Sequence, residues 1–524
     1  MAKSEVRLQA RIDQAASLLR QIGLKLNAAK CRSLFISERQ PVGLRDVICK
    51  VDGTPIGCLR DFESFPYLGR PVGYNIFRDN GEVDEAIELG KKLLNSCLAP
   101  WQRIDAIKTF LYPSLKFAMR CGVLGKTDWS RLDNALRPLI KRSLYLPKSA
   151  STDYLYSSSK AGACGIPLTT EISDICRLDS AFKLLTSRDQ EVSAIAMSSL
   201  TRTVDKRLGR ECGIEELCQY LSGENEGDFR LRSNQLRNVW TEARKASSTL
   251  GVSWDLEEGN ISITRENQTI TASQRTKLMA IIRSQLTLAR DQSLRELPSL
   301  GKVMDCVYRD KASSHFIRTG TFTSFAQWRF IHRAHLNLLP VNGARPWARN
   351  DDRQCRRWGH SNETLPHVLD HCMPSSASYQ ARHNEIVESV KAAARGKYTA
   401  ISENMAVGGT GLRPDLILCR GEEAIIVDVT IPFDNRYQAL AAARAEKEAK
   451  YELLKPHLQR RFHRVSVQAI VVGALGSWDP ANNKVMKKLC TKSYLGVFKK
   501  LCVSNVIAAS RNIYVEHVTG NPIV

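Results

Sequence analysis

Two apolar runs, Ala424–Val429 and Val467–Ala474, constrain this chain most, because they have the length of strands. Both fall far short of the ~20 residues that a helix needs to cross a bilayer. A shorter run, Leu416–Cys419, precedes the turn residues Arg420-Gly421-Glu422, and a helical pattern follows at 437–455. Strands and a helix in that order predict an α/β unit after residue 400. Upstream the period changes. Val6, Leu8, Ile12, Ala15, Leu18, Leu19 and Ile22 recur at helical spacing and Gly23 closes the pattern. Strand signals follow at 33–36, 47–49 and 67–69. From 83 to 145 the period is helical again, carried by Trp101, Ile104, Ile107, Phe110 and Leu111, which read as core. Residues 222–275 are rich in Ser, Glu, Asn and Thr with little periodicity and read as a linker. Arg275–Asp291 has the pattern of a basic amphipathic helix.

A chain of 524 residues exceeds one ordinary core, and about three domains are expected. Lys and Arg number 76 against 54 Asp and Glu, a net charge of +22. That surplus points to a polyanionic partner, either nucleic acid or an anionic membrane, and the lack of any span-length apolar run makes the membrane reading the weaker. The fifteen cysteines are odd in number and scattered, which argues for a reducing compartment rather than a disulfide framework. The N-terminus has no signal-peptide pattern. Seven arginines fall between 327 and 357 and are interleaved with Trp328, Phe330 and Trp347. Arginine alternating with aromatic rings suits phosphate contact and base stacking. Arg345, Arg349, Arg353, Arg356 and Arg357 are the candidate nucleic-acid contacts.

Two groups of residues carry chemistry. Cys355 is followed by Trp358-Gly359-His360, and His367 and Cys372 stand five apart, a spacing suited to zinc. Cys355, His367 and Cys372 are candidate ligands, with His360, His371 or water as a fourth. Downstream, Arg413-Pro414-Asp415 enters one strand and Asp428 lies near the end of the next. A hairpin between them would converge both carboxylates on one divalent ion. Mg²⁺ is a hard cation that takes carboxylate and phosphate oxygens and acidifies bound water. Lys447, Lys450 and Tyr451 on the following helix could stabilise charge at a phosphate, with Lys447 the first candidate and Lys450 the second. Catalysis is thus expected of Asp415, Asp428, Lys447 and Lys450.

Several segments resemble the polyproteins of R-two type non-LTR retrotransposons, whose family inserts into ribosomal RNA genes. They are Gly23-Leu24-Lys25-Leu26-Asn27 through Cys31, Tyr67-Leu68-Gly69-Arg70-Pro71-Val72-Gly73, Ala99–Lys108, Gly162–Pro167 and His335–Pro340. The resemblance extends to the Cys/His segment and to the aspartate pair, so it covers nearly the whole chain. It implies a multidomain α/β (α+β) protein. Residues 1–75 would be the closing part of a reverse-transcriptase palm, and 76–221 its thumb and post-thumb helices. Residues 222–345 would be a linker with basic helices, 346–375 a zinc knuckle, and 376–524 a restriction-like endonuclease domain. In the family the knuckle reads Cys-x2-Cys, and the second cysteine is here Trp358, which cannot ligate. The family's paired polymerase aspartates precede the Gly23 segment. The only adjacent pair here, Asp351-Asp352, lies in an arginine-rich loop, so polymerisation is not expected of this chain. The implied activity is Mg²⁺-dependent nicking of double-stranded target DNA to prime reverse transcription of element RNA, in the nucleus. Zn²⁺ would occupy the knuckle, and no small-molecule substrate is implied. The alternative is a catalytically inactive, nucleic-acid-binding remnant of a decayed element.

Overall fold

The computed structural model describes residues 2, 4–35, 48–67, 70–73, 81–121, 124–230, 238–257, 260–344, 353–359 and 362–521. Expected features at Ile36, Val47, Leu68-Gly69, Arg345, Trp347, Arg349, Asp351-Asp352 and His360 lie outside them.

The N-terminal helix Glu5–Gln21 starts where the Ser4 hydroxyl accepts the backbone N–H of Arg7. It covers a small cluster of Cys49, Val51 and Ile56, to which Leu8 and Ile12 contribute. The strands around that cluster are short two-stranded ladders.

Helices dominate from 81 to 143. The helix Lys126–Ser143 buries Trp129, Leu132, Leu136 and Ile140, one face at 3–4 residue spacing. It packs on the helix Gly81–Leu94, and Gly90 makes the close approach possible. A Cβ at position 90 would come within 2.5 Å of Leu136.

The 222–275 stretch departs from its expected role as a linker. The helix Val239–Leu250 is capped by Asn238, whose side chain accepts two backbone N–H groups. It leads into a three-stranded antiparallel meander, Val252–Glu257, Asn260–Arg265 and Gln268–Thr271. In the first strand Val252, Trp254 and Leu256 are buried while Ser253, Asp255 and Glu257 face solvent. These elements close a core with Ile175, Phe182, Leu200, Tyr220 and Trp240. The alternation in Val-Ser-Trp-Asp-Leu-Glu is a strand signal that the polar composition had outweighed.

The third core is the largest. It runs from Val83 and Trp129 through Trp328 to Val427, Trp478 and Val506, so the helical middle of the chain and its C-terminal unit share one apolar interior. Contacts across that junction include the ring of His335 with the carbonyl of Leu475, at 3.0 Å, and the backbone N–H of Trp478 on the Ser313 hydroxyl, at 2.9 Å.

The C-terminal unit holds a four-stranded mixed sheet. Strands β1 (Thr399–Glu403), β2 (Leu416–Arg420) and β3 (Glu423–Thr430) are antiparallel neighbours, and β4 (Arg464–Val471) runs parallel to β3. Helix α1 (Ser376–Ala394) precedes the sheet, α2 (Tyr437–Glu452) makes the crossover from β3 to β4, and α3 (Lys492–Thr519) packs against α1. A parallel pair requires such a crossover. The β2–β3 turn has two linking residues, with Gly421 at φ +56°, a conformation that glycine adopts without strain.

Candidate functional site

The hairpin fixes the two aspartates. Leu416 pairs with Val427, so the next position outward sets Asp415 opposite Asp428. Directly opposed residues in an antiparallel pair point to the same face. Asp415 is anchored through one oxygen: its Oδ2 accepts the backbone N–H of Val429 at 2.6 Å and faces His383 Nε2 at 3.1 Å. Its Oδ1 has no hydrogen bond among the described residues. Asp428 is 2% exposed, and its Oδ2 lies 2.8 Å from Lys447 Nζ, an ion pair without well-aligned hydrogen-bond geometry.

Burial raises the Asp428 pKa, and the charge of Asp415 raises it further, while Lys447 and Tyr451 pull it back. A buried carboxylate held beside a second carboxylate is a place that a cation would stabilise. The Tyr451 phenol is pushed up by burial and by Asp428, and its hydroxyl donates to the carbonyl of Arg413 at 2.9 Å. Burial lowers the pKa of His383, but its bond to Asp415 and that carboxylate's charge outweigh it, so the net shift is upward.

Helix α2 presents Leu440, Arg444, Lys447 and Tyr451 along one face, three or four residues apart. Leu440 and Tyr451 are buried against the sheet, and Arg444 pairs with Asp479 at 2.7 Å. Lys447 is therefore carried to Asp428 on a face fixed at both ends. Lys450 is exposed and lies over the Tyr451 ring, 5.0 Å from its centroid. A cleft of about 1000 Å³ opens beside these groups, lined by Lys302, Asn337, His371, His383, Thr430 and Lys447.

The Cys/His segment gathers a second group. Cys355 Sγ lies 3.7 Å from Cys372 Sγ and 3.8 Å from His517 Nε2. These three buried ligand atoms lie within 4.8 Å of one another. His517 comes from the end of α3 and was not anticipated from sequence. His367 lies at the margin of the group. Its ring stacks on Trp358 and stands edge-on to His517, and its Nε2 is buried without a partner. His371 is exposed and faces the cleft instead.

Glu363 is fully buried beside the sulfurs. It accepts from Arg356 Nε and Nη2, from the backbone N–H groups of Asn342 and Arg356, and faces His517 Nε2 at 3.1 Å. Burial raises its pKa, but the bonds from His517 and Arg356 dominate and hold it well below the usual carboxylate range. Two expected nucleic-acid contacts therefore have intramolecular partners. Arg356 holds Glu363, and Arg357 Nε donates to the His517 carbonyl at 2.6 Å. Arg353 is half-buried and also has a partner within the chain.

Helix α1 touches both groups through adjacent residues. Arg382 bonds Asp370 at 2.7 Å and the Leu369 carbonyl at 3.1 Å within the Cys/His segment, and His383 meets Asp415.

Comparison with known proteins gives a consistent set of relatives. A family model described as the T26G10.4 domain matches residues 175–338. The Caenorhabditis elegans protein that bears that name, Uncharacterized protein T26G10.4, is 25% identical over 333 residues, 60% of this chain and 94% of that protein. The Retrovirus-related Pol polyprotein from type-1 retrotransposable element R2 of Popillia japonica is 24% identical over 513 residues, covering 95% of this chain and 92% of the relative. The polyprotein from type-2 retrotransposable element R2DM of Drosophila melanogaster is 22% identical over 520 residues, covering 96% of this chain and 42% of that relative. The chain thus spans less than half of the Drosophila protein.

Proposed function

We propose that this chain, which belongs to the polyproteins of R2-type non-LTR retrotransposons, cleaves DNA with a divalent metal ion bound between Asp415 and Asp428. The observation that carries this reading is the opposition of those two carboxylates across the β2–β3 hairpin, with the Lys447 ammonium 2.8 Å from one of them. The donor set suits Mg²⁺: two carboxylates near a cleft, with Asp415 Oδ1 outside any hydrogen bond among the described residues. When bound, Mg²⁺ would lower the pKa of a water and offset phosphate charge.

The chain's own groups account for the rest. Val429 N–H and His383 fix the Asp415 carboxylate through Oδ2 and so orient Oδ1. Burial of Asp428 strengthens every charge interaction it makes. Lys447 can leave Asp428 for a phosphoryl oxygen as negative charge grows there, because the ammonium lies at the cleft and is partly exposed. Residues 376–524 would be the restriction-like endonuclease unit, and 1–75 with the following helices a palm edge and thumb. The substrate would be double-stranded target DNA, with element RNA as a second partner and the nucleus as the compartment. No helix among the described residues is long and apolar enough to cross a membrane.

The test is incubation of the full chain with supercoiled plasmid in Mg²⁺ and, separately, in EDTA. Nicked circles should form only with Mg²⁺. Retention of DNA binding with no nicking at any divalent ion would favour the inactive remnant, a reading to which Trp358 in a cysteine's place lends weight. Binding should also weaken steeply with salt, by ~0.9 log units per log unit of salt for each phosphate contact. Replacing Arg345 and Arg349 together by Ala should flatten that slope by up to about 2 units. Filter binding across a salt series measures it, and an unchanged slope would remove both residues from the contact surface.

A further inference from the structure

We infer that His517, at the end of the last helix, is a zinc ligand together with Cys355 and Cys372, in the place that Trp358 leaves open, with His367 at the margin as the fourth candidate. This deepens the zinc-knuckle reading and stands apart from the nuclease reading, because its test needs no cleavage.

The distances carry the inference. Two thiolates bound to one tetrahedral zinc, each ~2.3 Å from the metal, lie about 3.8 Å apart. Cys355 and Cys372 are 3.7 Å apart. A thiolate and an imidazole nitrogen at ~2.3 and ~2.0 Å from the same ion lie about 3.5 Å apart. Cys355 Sγ and His517 Nε2 are 3.8 Å apart. A disulfide would need its sulfurs at ~2.05 Å, so the two thiols are unbonded.

A second observation points to a ligand. His367 is 6% exposed, its Nε2 has no partner, and its ring stands edge-on to His517. A buried, unpaired imidazole nitrogen is costly unless something binds it. The Trp358 indole stacks on the His367 ring at 5.9 Å, and its backbone N–H donates to Cys355 Sγ at 3.4 Å. Trp358 therefore supports the site from the sequence position of the absent cysteine without ligating.

Glu363 fits the same scheme. His517 Nε2 cannot donate to Glu363 and bind zinc at once. Metal loading would exchange that contact for an Nε2–zinc bond, with the neutral ring carrying its proton on Nδ1 and the two thiols releasing theirs to solvent. Glu363 keeps the guanidinium of Arg356 and two backbone N–H groups. Zinc would then tie the 355–372 segment to the C-terminal helix.

The experiment measures zinc in the full chain, purified under reducing conditions, and Co²⁺ absorption after exchange. The wild type should hold one zinc per chain. His517→Ala should bind it at least about tenfold more weakly, the range seen when a group that supports a metal site is lost. The double variant Trp358→Cys/His517→Ala should regain zinc and give a Co²⁺ spectrum with an additional thiolate contribution. That rescue separates lost ligation from misfolding. Wild-type affinity in His517→Ala, or no zinc in the wild type with both thiols reduced, would overturn the inference. Plasmid nicking by the same preparations is scored separately, so failure of either reading is distinguishable.

Discussion

Asp428→Asn should reduce Mg²⁺-dependent nicking to background, and Lys447→Ala should slow it by about 10²–10³, the usual cost of losing one charge-stabilising group. Lys450→Ala should leave the rate nearly unchanged. The contrast follows from the inner face of α2. Lys447 stands 2.8 Å from Asp428 and lines the cleft, whereas Lys450 is exposed over the Tyr451 ring and is not part of that lining. The two lysines are 60° apart on a helical projection, too close for spacing to separate their roles. Burial of Leu440 and Tyr451 and the Arg444–Asp479 pair set the helix rotation and thereby choose Lys447. Single-turnover rates on a nicked-circle assay check the order. Equal losses for the two lysine variants would mean that Lys447 has no special place.

Glu363→Ala should open the Cys/His segment. Removing a fully buried carboxylate strands Arg356, His517 and two backbone N–H groups at once. Breaking one partner out of a buried ion pair costs about 3–5 kcal/mol, because the remaining charge is left uncompensated. Since the chain holds several cores, the loss should be local. Hydrogen exchange should accelerate by at least about 10²-fold at 340–344, 355–372 and the end of α3, while 175–282 stays protected. Uniform acceleration would show that Glu363 supports the whole fold, and none would show that its network is dispensable.

The aspartate pair was legible because hairpin register is a local property. A two-residue turn and thirteen positions of separation suffice to set Asp415 opposite Asp428. The groups that sequence reasoning missed are long-range partners. His383 meets Asp415 across 32 positions, and His517 reaches Glu363 across 154 and Cys355 across 162. No periodicity encodes such distances, which are set by helix packing. The arginine cluster shows a second kind of long-range pairing. Composition pointed Arg356 and Arg357 toward phosphates, and the fold gives them Glu363 and the His517 carbonyl. The meander at 252–271 was hidden by polar residues on its outer face, although Val252, Trp254 and Leu256 carried the alternation.

The most direct measurement of the central claim compares wild type and Asp415→Asn for Mg²⁺-dependent nicking and DNA affinity in one preparation. The substitution keeps the shape of the side chain and removes the charge that would hold the metal. The expected result is loss of cleavage to background with DNA affinity unchanged or tighter, because one negative charge near the phosphate is gone. Nicking by Asp415→Asn at the wild-type rate would contradict the assignment of Asp415 and Asp428 as the metal-binding pair.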